Sequence, residues 1–236
     1  MKKAVFALIA LPFLSATAQE KQKQETIEGN GKMVTRDVKV ASFDALKASG
    51  VYELKLSQGN NESVKIEADE NLQDYFSVRN EGNRLVIDMK KMENKNFKSK
   101  SKMKVFVTFK KLREMELSMV GNVGSEEQLA FDDLNLKNKS VGNVDLKLTA
   151  RKLDLNNTSV GNVRLSGKAD DAVVKNSGVG SLEAGNFMVQ TMNIENTGVG
   201  SARVNAEKDL KVKDSFMGKV ENKGKASVRK MNKVRV

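Results

Sequence analysis

From Leu134 to Val220, apolar residues recur at alternate positions in short bursts. The pairs are Leu134 and Leu136, Leu153 and Leu155, Met192 and Ile194, Leu210 and Val212, with Ala172 and Val174 as a weaker pair. The alternation resumes in Val144, Leu146, Leu148, then in Val163, Leu165, and again in Ala202, Val204. A period of two places successive side chains on opposite faces, so each burst predicts a β-strand with one face buried. Between the bursts one phrase recurs six times: a polar residue, a variable one, an aliphatic or Met, a glycine, a polar residue and an aliphatic. The copies are Ser118–Val123, Lys139–Val144, Thr158–Val163, Ser177–Leu182, Thr197–Ala202 and Ser215–Val220. Their glycines, Gly121, Gly142, Gly161, Gly180, Gly200 and Gly218, are spaced by 21, 19, 19, 20 and 18 residues.

A period near twenty marks a stacked-repeat architecture, in which each unit buries its face only against its neighbours. The units are too short for a strand plus a packed helix, and Val, Asn, Ser and Thr are poor helix formers. The simplest closed solution is an all-β, right-handed parallel β-helix with about 20 residues per coil, its coils stacked about 4.8 Å apart. The glycine column predicts either a positive φ angle or a tight approach between coils. Four residues before the last five of these glycines stand Asn138, Asn157, Asn176, Asn196 and then Asp214. These are either stacked amides bonded up and down the coils or simple polar corner residues. The lone proline, Pro12, lies near the start, which suits a body laddered at nearly every strand residue. A leucine-rich repeat lacks its Leu-x-x-Leu-x-Leu pattern here, and calcium-binding nonapeptide rolls lack their acidic columns.

The pattern is weaker before the repeats. Strands are predicted at Val38–Val40, Val51–Leu56, Ser63–Ile66, Leu85–Met89 and Lys104–Phe109. Ala48–Leu54 echoes the later phrase with Tyr52 in the glycine's place, a first degenerate coil. Residues 33–112 are therefore expected as degenerate coils of the same stack, followed by regular coils over 113–226. Residues 19–32 read as a polar, mobile leader, and 227–236 as a basic tail or cap. Residues 1–18 read as a secretory signal peptide: Lys2 and Lys3, an apolar stretch from Ala4 to Leu14, and the small-residue site Ala16-Thr17-Ala18. That stretch is too short to span a bilayer, and no cysteine follows it to carry a lipid anchor. The expected localisation is exported: periplasmic, cell-surface or secreted.

Composition narrows the chemistry. With no His and no Cys, Ser-His-Asp and Cys-His nucleophiles and most transition-metal sites are excluded, and no cofactor is expected. Removing Lys2 and Lys3 with the leader leaves 39 basic against 30 acidic residues, a net charge of +9. Because some β-helical proteins act on acidic polysaccharides, the candidate carboxylate pairs are Asp132-Asp133 and Asp170-Asp171. They read as solvated turns or as a hydrolytic or calcium site, and adjacent acids on a strand point in different directions. Trp is absent and Tyr52 and Tyr75 are the two tyrosines, so aromatic platforms for a deep saccharide cleft are missing, which leaves polar groove binding. Asn61, Asn138, Asn156 and Asn157 head glycosylation sequons that read as coincidental.

The main charge feature is Lys90, Lys91, Lys95, Lys98, Lys100, Lys102 and Lys104, with Glu93 alone against them. It reads either as a solvated loop or as a patch for anionic envelope glycans or other polyanions, held by salt-sensitive contacts. Without interleaved aromatics, sequence-specific nucleic-acid recognition is not expected. Lys219 to Arg235 is also basic and suits a cap that discourages end-to-end stacking.

Phe43–Val51, Leu85–Asp88 and the Val-Gly-Asn-Val phrases together resemble the auto-transporter adhesin head GIN domain family of Bacteroidetes. The resemblance covers roughly residues 38 to 226. It implies a β-helical surface protein of adhesin type, brings no catalytic residues with it, and identifies 33–226 as one head GIN-like domain. The expected function is a non-enzymatic, exported envelope-binding or adhesin-like β-solenoid protein. The alternatives are a polysaccharide-active β-helix enzyme, or a periplasmic scaffold or signalling partner with no external ligand.

Overall fold

In the computed structural model the described residues are 25–89, 95–99, 101–215 and 217–231. The signal-peptide reading, the first part of the polar leader and part of the lysine run therefore lie outside the described residues. The regular part is a β-solenoid of about six turns, roughly 20 residues apart. Its strands are β10 (Glu114–Val120), β11 (Val123–Ser125), β12 (Leu129–Asn138), β13 (Val144–Asn157), β14 (Val163–Asn176), β15 (Leu182–Asn196) and β16 (Ala202–Asp214). β10 pairs parallel with β12 and β11 with β13, and from β12 to β16 each strand lies parallel on the next. The register keeps like on like: Leu136, Leu155, Val174, Ile194 and Val212 form one inward column. All five are buried, whereas Lys152 faces solvent.

The glycine corner is built as the phrase predicts. Gly121, Gly142, Gly161, Gly180 and Gly200 all have φ between +128° and +142°. At Gly161 a Cβ would also stand 2.2 Å from the Gly142 carbonyl oxygen, so conformation and close approach act together. Gly218 differs. It is not among the positive-φ glycines, and only crowding, with a Cβ placed 2.5 Å from the Asn196 carbonyl oxygen, restricts it. Tyr52 does occupy the glycine position of the first coil, its carbonyl lying under Gly121.

The asparagine column is a buried ladder. Asn138 Nδ2 donates to Asn157 Oδ1 at 2.8 Å, Asn157 to Asn176 at 2.7 Å, and Asn176 to Asn196 at 2.6 Å. Asn196 ends the run by donating to the Gly218 carbonyl at 2.7 Å. Buried amides demand partners, and here each coil supplies the next.

The N-terminal block is β1 (Glu25–Glu28), β2 (Met33–Val38), β3 (Ala45–Val51), β4 (Glu53–Gln58), β5 (Ser63–Asp69), a 3₁₀ helix (Glu70–Tyr75), β6 (Phe76–Glu81), β7 (Arg84–Met89), β8 (Lys95–Lys98) and β9 (Lys104–Phe109). β3 and β4 form the first coil, in register with β10 and β11. β7 and β9 continue parallel beneath them. Beyond that the expected degenerate coils give way: β6 runs antiparallel to β7, β5 to β9, and β2 to β5. The cause is local at Gly82-Asn83, a two-residue loop that closes the β6–β7 hairpin with Gly82 at φ +61°. The leader read as mobile includes β1, which pairs parallel with β8. At the other end, β17 (Val220–Asn222) and β18 (Val228–Lys230) close over β16. Among the described residues no helix is long and apolar enough to cross a membrane.

Candidate functional site

On the flank beyond the glycine corner, period two sends every second residue outward. Directly after the glycines come Asn122, Asn143, Asn162, Ser181 and Ser201, and two residues further on stand Gly124, Asp145, Arg164, Glu183 and Arg203. The parallel register turns these into two columns running up the solenoid. In the first, each asparagine is tied to the coil above. Asn122 Oδ1 accepts the Asn143 backbone N–H at 3.0 Å, Asn143 Oδ1 that of Asn162 at 3.0 Å, and Asn162 Oδ1 that of Ser181 at 2.9 Å.

The second column alternates in charge. Arg164 donates to Asp145 at 2.9 Å, and Arg203 donates to Glu183 at 2.9 Å and to Glu221 at 3.3 Å. The flanking Glu183 and Glu221 carboxylates raise the Arg203 guanidinium above its ordinary value. Surface pairs of this kind add little stability. Their effect is to neutralise the flank while leaving it rich in donors and acceptors.

Two hollows lie along these columns. One, of about 280 Å³, is lined by Lys55, Asn122, Gly124, Asn143 and Asp145 and has Val123 and Val144 among its lining. The other, of about 360 Å³, is lined by Ser166, Ser181, Glu183, Asn186, Arg203 and Lys223. Both include Asn162 and Arg164, so they form one lengthwise groove. Gly124 leaves a gap in the charged column. Higher up, the β14–β15 and β15–β16 registers both shift around Gly185, and this bulge opens the second hollow.

The residues singled out from the sequence are distributed differently. Lys90, Lys91 and Lys100 lie outside the described residues, and Lys95 is placed only by its backbone, opposite Glu25. Lys98 pairs with Glu28 at 3.3 Å, Lys102 with Glu53 at 2.8 Å and Lys104 with Glu67 at 3.7 Å. Glu53 raises Lys102 above its ordinary value. Lys102 and Lys104 do share an open hollow with Thr35, Glu67 and Ser101. Its positive charge is lower than the lysine count implies, because the acids come from distant strands.

Asp132-Asp133 and Asp170-Asp171 face solvent inside β12 and β14 and not in loops between coils. Asp133 pairs with Arg151, and Asp171 accepts a hydrogen bond from Thr191. Lys152 lies in register between Asp133 and Asp171. Among the described residues no group of three or more acidic side chains could hold a metal ion. The Asn138 and Asn157 sequons are closed by burial in the ladder.

The sequence leaves polar groove binding open but does not single out the groove residues, although the asparagines sit inside the repeated phrase. The available signal was the glycine spacing, which departs from 19 to 20 and then 18 around the bulged coil.

Residues 42–226 match the family described as putative auto-transporter adhesin, head GIN domain. The chain is similar in structure to a putative adhesin from Bacteroides fragilis NCTC 9343, at 30% identity and a TM-score of 0.73, over 87% of this chain and 100% of that one. It is also similar in fold to a putative lipid binding protein from Parabacteroides distasonis ATCC 8503, at 19% identity and a TM-score of 0.59, over 88% and 100% of the two chains. A putative adhesin from Parabacteroides merdae ATCC 43184 shares the fold at 21% identity and a TM-score of 0.53, again over 88% and 100%. No curated protein matches the chain. A family match over 42–226 covers most of the 236 residues, and the glycine-cornered coils lie within it, so this chain belongs to the auto-transporter adhesin head GIN domain family.

Proposed function

We propose that this protein is an exported, non-enzymatic binding module of the bacterial envelope, adhesin-like in that it presents a rigid lateral surface to a ligand. Family membership and the likeness to the Bacteroides fragilis adhesin support the class of function, and the leader read in residues 1–18 supports export. The observation that carries the non-enzymatic part is the pairing of charges along the groove. Asp145 and Glu183 stand two coils apart, roughly 9.6 Å along the axis, with Arg164 in register between them and bonded to Asp145. An inverting glycosidase keeps its carboxylates about 6.5–9.5 Å apart with a water in the gap. Here a guanidinium fills that gap, which suits holding a ligand and not cleaving it.

The test is to express the full chain with a C-terminal tag in a Bacteroidetes host. Its exposure to protease on intact cells is measured, together with the binding of the purified mature protein to whole cells and envelope fractions. Surface exposure with saturable binding, and no new reducing ends in bound polysaccharide, is the expected result. A cytoplasmic protein that binds no envelope fraction would overturn the reading, and release of reducing ends would overturn its non-enzymatic part.

A further inference from the structure

We propose that the lengthwise groove is a binding site for an extended, hydroxyl-rich polysaccharide chain lying parallel to the solenoid axis. This rests on the adhesin-like reading and names the ligand class and the residues that would take it.

The argument begins with the amides. An asparagine side chain has one acceptor oxygen and an NH₂ donor, and in isolation it can present either. In Asn122, Asn143 and Asn162 the oxygen is committed to the backbone N–H of the coil above. The amide is therefore fixed in orientation, and its Nδ2 is turned away from that bond. These three side chains are exposed, and the Nδ2 groups meet no protein acceptor in the hydrogen bonds of the described residues. The result is a row of like-oriented donors at the coil spacing of about 4.8 Å. Preorganised donors lose little freedom when a ligand binds.

Beside the row, the charged column offers the complementary chemistry. Asp145 and Glu183 accept hydrogen bonds and Arg164 and Arg203 donate them, the guanidinium in a planar fork that suits adjacent hydroxyls. The groove's charged lining is close to balanced, with Lys55, Arg164, Arg203 and Lys223 against Asp145 and Glu183, and with Glu221 bonded to Arg203. A polyanion gains little from such a surface, whereas a neutral polyol finds both donors and acceptors. Val123, Val144 and Leu165 beneath the groove are buried, so the polar groups of the two columns carry the recognition. The geometry also selects for repetition. Pyranose rings in an extended chain recur at close to the coil spacing, so successive sugars can meet successive coils, which a folded protein surface or a lipid tail does not do.

The decisive variant is Asn122→Ser, Asn143→Ser, Asn162→Ser in the mature protein. Serine already stands at this position in the next two coils as Ser181 and Ser201, so the solenoid tolerates it, and the melting temperature checks that it does. The probes are linear neutral oligosaccharides of two to eight units on a glycan array, with titration of the hits. Expected are affinities that rise with chain length, little dependence on salt, and at least a tenfold loss in the triple variant. Undiminished binding by the variant overturns the groove while leaving the adhesin-like reading intact. Binding that falls steeply with salt and is lost on Lys98→Gln, Lys102→Gln overturns it as well, and assigns the ligand to the lysine segment. If the wild type binds no array glycan yet still binds cells, the polysaccharide proposal fails alone. If it binds neither, both readings fail.

Discussion

The coils from Leu129 to Asp214 and the block from Glu25 to Phe109 bury their apolar side chains equally well, by different means. The coils use repetition: small aliphatics stacked in register, a shared glycine corner and an amide ladder. Between Asp132 and Asp214 they contain a single aromatic residue, Phe187. The N-terminal block uses bulk. Tyr52 packs on Phe76 with ring centroids 5.7 Å apart, Tyr75 on Phe97 at 5.1 Å, and Phe109 on Phe131 of the first regular coils at 5.8 Å. A solenoid end has no next coil to cover its core, so large rings and antiparallel strands fill and close it. Uniform small side chains suit the middle because every coil must accept its neighbour's backbone at one spacing.

If the two regions are built on these different principles, glycine replacement should separate them most. Gly161 and Gly82 both have positive φ, at +136° and +61°. At Gly161 an added Cβ meets the Gly142 carbonyl oxygen at 2.2 Å, whereas at Gly82 nothing lies within 4 Å. Gly161→Ala is expected to cost more than about 4 kcal/mol, or to abolish folding. Gly82→Ala should cost only the strain of a left-handed L-residue, roughly 1–2 kcal/mol. Urea denaturation followed by circular dichroism compares them. Equal midpoints would show that the corner is no more constrained than a hairpin turn.

The next contrast lies within the coils, between the buried and the exposed asparagine columns. Asn157→Leu strips Asn138 Nδ2 and the Ser159 hydroxyl of an acceptor, and Asn176 Oδ1 of a donor. Leu117 shows that the same position in an earlier coil accepts leucine. The loss is therefore one of hydrogen bonding more than of space, and about 2–4 kcal/mol is expected. Asn143→Ser on the exposed column should stay within about 1 kcal/mol. A buried change no worse than the exposed one would mean that the ladder does not hold the coils together.

Much of the middle was legible because each feature is written several times. The inward leucines, the corner glycines and the asparagine column could be checked copy against copy. At the N-terminal end there was one copy of everything. β1 and β8 contribute Ile27 and Phe97 as partly buried side chains amid charged neighbours, and they pair across about seventy residues. No local period reveals such a pairing. The Gly82-Asn83 hairpin signal was present but fell outside the stacked reading. Lys98, Lys102 and Lys104 looked like a free cationic run because Glu28, Glu53 and Glu67, which meet them, are remote in sequence. The groove had the same obstacle. Its residues are visible one by one, but their alignment depends on register and on a bulge that only paired strands define.

The smallest expected effect distinguishes the ends from the middle by what holds them. Both ends rest partly on carboxylates, whereas the amide ladder between them does not titrate. Hydrogen bonding from Arg229 lowers Asp209, and from Lys230 lowers Asp214, fastening β18 to β16. At the other end the Ser42 hydroxyl, with Lys110, lowers Glu62, and Lys32 lowers Glu70. A depressed folded-state value means the stabilisation is present above the unfolded-state pKa, near 3.9 for Asp and 4.3 for Glu. It is lost as pH falls through the lower folded-state values. These groups lie at the two ends, Glu70 exposed and Glu62, Asp209 and Asp214 partly buried, so the effect is local fraying and not global unfolding. Amide hydrogen exchange compared at pH 6 and pH 3, corrected for intrinsic rates, should show lost protection at Met231, whose N–H donates to the Val212 carbonyl. Protection at Val174, inside the coils, should be unchanged. Equal loss at both positions would mean that acid acts on the solenoid as a whole and that its ends are not held separately by charge.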